Sequence, residues 1–155
     1  MKFFKKSGRL VLVILIFLVL GSFPEAFAAD IILHDLNGKA VNLSSCQGKP
    51  TILFFWTTWC PYCRREIKAL NQLYPQMKKE GITVFAVNVG ESDYIVQRFF
   101  MSNALGFGVL LDKDEVAADK YNVIGVPTYV FMDKSGHVIS DEHALPVDYK
   151  KLLLK

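Results

Sequence analysis

Thr51 is followed by five consecutive apolar residues, Ile52 to Trp56, in a stretch bounded by Gly48-Lys49-Pro50 and Thr57-Thr58. Side chains of a strand point alternately to opposite faces, so a strand that is apolar throughout must be covered on both. Residues Pro61 to Lys79 then carry Ile67, Leu70, Leu73, Tyr74 and Met77 at spacings of three and four, the period of a helix with one buried stripe. Pro75 is expected to kink that helix and Gly81 to end it. A buried strand running straight into an amphipathic helix is the start of a layered α/β domain.

The rest of the chain fits that reading. Residues 31–33 and 40–43 flank Asn37-Gly38, a strong two-residue hairpin signal. Residues 82–89 read as a second buried strand, and Ser92 or Asp93 can cap a helix reaching about Ser102. A short strand at 107–111, a short helix at 115–121 and the strand Thr128 to Met132 follow. Asp133-Lys134-Ser135-Gly136 turns the chain into a hairpin partner at 137–140, and 147–154 forms a last helix. The predicted fold is α/β with three layers, α/β/α, around a mixed central sheet, preceded by an N-terminal β-hairpin and interrupted by an inserted helix and strand. No internal repeat or second domain is visible.

Residues 1–28 form a separate unit. Lys2, Lys5, Lys6 and Arg9 precede an unbroken apolar run from Leu10 to Leu20, and Ala26-Phe27-Ala28 matches a small-x-small cleavage site. The segment is read as a signal peptide cleaved after Ala28, or as an uncleaved N-terminal anchor, leaving 29–155 as one domain. Without it 14 basic and 14 acidic residues remain. The positive charge therefore belongs to the leader, and nucleic acid is not an expected partner.

An exported chain would meet oxidising conditions, yet it has three cysteines, which cannot all pair within one molecule. Cys60 and Cys63 enclose too small a loop to restrain the unfolded chain, which favours a functional pair. Cys60 falls where strand gives way to helix, with Pro61 at the first helical position. The free N–H groups and dipole there stabilise a thiolate, and Arg64 and Arg65 add positive charge. Cys60 is thus the candidate nucleophile and Cys63, one turn deeper, the resolving thiol. Glu66 lies three residues beyond Cys63 and either exchanges a proton with it or pairs on the surface with Arg65 or Lys68.

Other chemistries fit less well. Structural zinc needs a second ligand pair, but His34, His137 and His143 are scattered and Cys46 is isolated. Copper held by the two thiols and His137 or His143 is an alternative binding role. A peroxide-reducing site would place a proline where Leu53 stands, four residues before Thr57. Cys46 reads as a small core or edge residue, with an extra redox thiol as the other possibility.

The Trp59-Cys60-x-x-Cys63 motif after a buried strand, with Gly125-Val126-Pro127-Thr128 about 65 residues on, resembles the thioredoxin superfamily. The stretches GKPTILFFWTTWCPYCRRE, GITVFAVNVGES and GVPTYVFMDKSGHV are similar to exported TlpA/ResA-type thiol-disulfide oxidoreductases across about residues 30 to 154. The resemblance implies a cis Val126–Pro127 bond facing the disulfide, with the backbone of Val126 pairing with substrate, and Glu66 at the family's acidic position. Trp59, Pro61 and Tyr62 would line the approach, with Trp56 either on that rim or in the core.

Two departures stand out. Phe54, six residues before Cys60, replaces the aspartate of thioredoxins or the asparagine of this subfamily, which shifts proton handling towards Glu66. The Pro61-Tyr62 pair looks like that of glutaredoxins, so the direction of electron flow does not follow from the family.

The expected function is reduction of disulfides in exported proteins, with apocytochrome c thiols as the leading substrate the resemblance suggests. The protein would act in the periplasm or on the outer face of the cytoplasmic membrane, as a monomer. It would need no cofactor beyond its own disulfide and would draw electrons from a membrane-linked thiol reductant. A dithiol oxidase and a copper-delivery protein are the competing expectations.

Overall fold

The computed structural model describes residues 30–154. The segment read as leader or anchor, with its cleavage site, lies outside the described residues. Among those residues no helix is long and apolar enough to cross a membrane.

Seven strands form one mixed sheet: β1 (Ile32–Asp35), β2 (Ala40–Asn42), β3 (Thr51–Trp56), β4 (Thr83–Val89), β5 (Gly108–Asp112), β6 (Thr128–Met132) and β7 (Val138–Glu142), in the spatial order β2-β1-β5-β4-β3-β6-β7. β3, β4 and β5 are parallel neighbours, whereas β1, β2, β6 and β7 join antiparallel. The helices are α1 (Pro61–Lys79), α2 (Asp93–Met101), α3 (Val116–Lys120) and α4 (Tyr149–Leu153). This is the thioredoxin fold expected from the sequence, with α2 and β5 as the inserted segment.

The apolar run of β3 lies near the middle of the sheet and is buried at every position. Its alternate residues serve two cores. Ile52, Phe54 and Trp56 pack with Cys60, Cys63, Ile67, Leu70 and Met77 of the α1 side; Leu53 and Phe55 pack on the opposite face with Leu43, Ala117, Ala118 and Val130. A two-sided core is what an unrelieved apolar strand requires.

Local signals hold with adjustments. The Asn37-Gly38 turn closes β1 and β2, with Gly38 at φ +80° and Asp35 accepting the Asn37 and Lys39 N–H groups at 2.8 and 2.9 Å. α1 continues through Pro75 to Lys79, because the missing N–H lies on the exposed face of the helix. Leu73, assigned to the buried stripe, is 39% exposed. Ser92 takes the N-cap position of α2 without a side-chain cap hydrogen bond, and Asp93 instead pairs with Lys113 at 2.9 Å. Cys46 sits half-buried in a 3-10 turn, Leu43–Cys46, on the connection from β2 to β3.

Candidate active site

β3 delivers the chain to the N-terminus of α1, and Cys60 is the N-cap of that helix, with Pro61 at its start. Cys60 and Cys63 are joined as a disulfide. The Cys63 N–H donates to Cys60 Sγ at 3.1 Å, so the Cys60 sulfur sits on an amide at the helix head. Cys60 retains 4% of its surface and Cys63 none. Attack from outside is therefore confined to Cys60, with Cys63 reachable through it.

The Val126–Pro127 peptide is cis, and the Val126 carbonyl lies 3.8 Å from Cys60 Sγ. Trp59 is 67% exposed and Tyr62 62% exposed, flanking the disulfide as an apolar rim. Pro61 is exposed beside them and Val126 is half-buried. Trp56 lies wholly in the core against Phe99 and Phe100, so only Trp59 of the two tryptophans borders the site. Arg65 lies 4.9 Å over the Tyr62 ring, a cation–π contact that restrains the rim.

Glu66 adopts neither surface pairing. Its Oε2 accepts from the Tyr129 hydroxyl at 2.9 Å and from the Leu145 N–H at 3.2 Å. The carboxylate is held half-buried, one helical turn beyond Cys63. Phe54 is fully buried and its ring lies 4.6 Å from that of Tyr129.

A further carboxylate was not legible as part of the site. Glu91, after β4, accepts from Thr58 N–H and Oγ1, both at 2.6 Å, and from Asn88 Nδ2 at 2.7 Å. Arg64 Nε donates to the Thr58 carbonyl at 2.6 Å. The loop two residues before Cys60 is thus gripped from β4 on one side and α1 on the other. The one available signal was position: Glu91 follows the carboxyl end of a parallel strand, where α/β sheets place their functional groups.

The histidines lie apart from one another. His137 is in the β6–β7 turn, its Nδ1 3.5 Å from Asp133; His143 Nδ1 contacts the Pro127 carbonyl at 2.9 Å and Thr128 Oγ1 at 3.3 Å. Leu53, where a peroxide-reducing site would have proline, pairs with Phe85 and Val130 on either side; a proline would remove a ladder N–H from this central strand.

A vicinal cysteine pair on a helix N-terminus, opposed by a cis-proline loop, defines a thioredoxin-fold disulfide centre. The sequence matches the AhpC/TSA family over residues 24–140, and the chain belongs to that family. It is 41% identical over 111 residues to the thiol-disulfide oxidoreductase ResA of Geobacillus kaustophilus, covering 72% of this chain and 64% of that protein. The protein of the same name from Bacillus subtilis is 38% identical over 112 residues, covering 72% and 63%. The chain thus spans slightly less than two thirds of the length of these relatives. Among solved structures, a secreted Mycobacterium tuberculosis disulfide oxidoreductase homologous to E. coli DsbE aligns with a TM-score of 0.68 at 29% identity, covering 77% of this chain and 90% of that one.

Proposed function

We propose that the protein is an exported thiol-disulfide oxidoreductase that reduces disulfides in other exported proteins through Cys60 and Cys63. The observation that carries this reading is the Cys60–Cys63 disulfide at the head of α1, with Cys60 facing the Val126 carbonyl beside the cis proline. The likeness to the two ResA proteins and to a secreted oxidoreductase supports it.

In the reduced protein the Cys63 amide and the dipole of α1 stabilise the Cys60 thiolate. That thiolate attacks one sulfur of a client disulfide, forming a mixed disulfide and releasing the client's other sulfur as a thiolate, which takes up a proton. The backbone of Val126 pairs with the client strand while Trp59, Pro61 and Tyr62 exclude water from the exchange. Cys63 then gives its proton to Glu66 and attacks Cys60 Sγ. The Cys60–client bond breaks, the second client sulfur leaves as a thiolate and is protonated, and Cys60–Cys63 is the oxidised product. Two electrons pass to the client, and a membrane-linked dithiol donor restores the reduced pair. The disulfide form of the apocytochrome c cysteine pair is the leading client class.

Insulin reduction by the purified chain, with dithiothreitol as electron source, tests the chemistry against Cys60→Ser. Equal rates for the two proteins would eliminate the proposal. Equilibration of the pair with glutathione fixes the direction: a reductase poises near or below about −270 mV, and a value near about −120 mV would make the protein an oxidase instead.

A further inference from the structure

Phe54 puts a hydrocarbon ring on the face of β3 that packs with the cysteine pair. Directly opposite it in the antiparallel β3–β6 register stands Tyr129, and the two rings are in contact at 4.6 Å. Tyr129 has no exposed surface and shares one core with Phe54, Cys60 and Cys63. Its hydroxyl makes a single hydrogen bond, donated to Glu66 Oε2 at 2.9 Å. A buried phenol needs a partner, and this one finds it in the carboxylate one turn beyond the resolving thiol.

We propose that Tyr129 is a positioning residue for Glu66, supplying from β6 a polar contact that the hydrocarbon ring of Phe54 on β3 does not offer. This inference rests on the reading of Glu66 as the proton acceptor for Cys63. The Tyr129 hydroxyl and the Leu145 N–H both point at Oε2, which fixes the carboxylate plane and leaves Oε1 without a donor among the described residues. Among the described residues Glu66 makes no ion pair: Arg65 on α1 lies over Tyr62, and His143, on the loop that supplies Leu145, turns to the Pro127 carbonyl. Burial, reinforced by the neighbouring Glu66 charge, holds the Tyr129 phenol far above its ordinary ionisation range. The hydroxyl therefore stays a donor throughout the range in which thiols exchange.

Stopped-flow reaction of the reduced full chain with a chromophoric aryl disulfide tests this. Cys60 attack releases the first coloured thiolate and Cys63 resolution the second, so each trace reports both steps. Tyr129→Phe keeps the ring on Phe54 and deletes only the hydroxyl. Loss of the hydrogen bond that holds Oε2 should slow the second phase about five-fold, the equivalent of one hydrogen bond of about 1 kcal/mol. The first phase should be unchanged, which also reports an intact fold. Glu66→Gln, which cannot accept the Cys63 proton, should slow the second phase further, and the double variant should match Glu66→Gln alone. If Glu66→Gln leaves the second phase untouched, the proton role of Glu66 fails and this inference falls with it. If Glu66→Gln acts as expected while Tyr129→Phe does not slow the second phase, or slows both phases alike, the assignment of Tyr129 is overturned and the role of Glu66 stands.

Discussion

Replacing Glu91 by alanine should loosen the active-site loop and destabilise the domain, although the residue lies 31 positions beyond Cys60 in the sequence. Its carboxylate accepts three hydrogen bonds, from Thr58 N, Thr58 Oγ1 and Asn88 Nδ2. A hydrogen bond to a charged group contributes about 1.5–3 kcal/mol, and stranding a buried donor costs about 1–3 kcal/mol. The full sum overstates the loss, because Glu91 is half-buried and water can reach Thr58 once the side chain is gone. Asn88 is wholly buried and would keep only its long contact with the Trp56 carbonyl, 3.4 Å. An expected cost of about 2–4 kcal/mol for Glu91→Ala follows, and a smaller one for Glu91→Gln, which keeps one acceptor. With a urea m-value of about 2 kcal/mol per M, the midpoint should fall by about 1–2 M at constant m. Equilibrium unfolding of the oxidised protein, followed by far-UV circular dichroism, measures it. A shift below about 0.3 M for Glu91→Ala would show that the three contacts are not held in solution, and the proposed grip on the Cys60 loop would be refuted.

Asp112, buried at the end of β5, accepts from the Ala117 and Ala118 N–H groups at 3.0 and 2.8 Å and so caps α3. Asp112→Ala should lower Tm by about 10 °C, from a cost of about 3 kcal/mol, and calorimetry checks it. Lys150 meets Glu80 at 2.6 Å on the surface, and its ammonium holds the Glu80 carboxyl below the usual range. A carboxyl lowered in the folded state contributes stability above its unfolded value, near 4.3, which is lost as pH falls through the folded value. The urea midpoints of wild type and Lys150→Ala should therefore differ at pH 7 and converge at about pH 3; an equal gap at both would contradict the pairing. Burial pushes the Cys46 thiol up, against a weaker opposing bond from Thr51. Cys46 should alkylate several-fold more slowly at pH 8 than a free peptide thiol and catch up in urea, as mass spectrometry would register.

The cysteine pair, the strand that leads to it and the helix that carries it are written in residues adjacent along the chain. An apolar run, a proline at the first helical position and a three-to-four spacing act over a few residues, so β3 and α1 match their expected bounds. The cis Val126–Pro127 bond came instead through resemblance of a motif, since no local rule selects the isomer. What surrounds the pair depends on which strands become neighbours, and spacing along the chain does not specify that. Glu66 could have faced solvent; its partner, Tyr129, is 63 residues away and meets it only because β6 lies beside β3. Glu91 reaches Thr58 across 33 residues because β4 lies on the other side. Trp56 and Trp59 are indistinguishable in composition, but Trp56 ends β3, which is covered on both faces, whereas Trp59 lies beyond the strand in the turn before α1 and stays at the rim. The sequence by itself determined the cysteine pair and the helix whose first turn carries it, because those forces are local. Only the tertiary structure decided which groups hold the carboxylates and the loop in place, because a central strand takes its neighbours from distant parts of the chain.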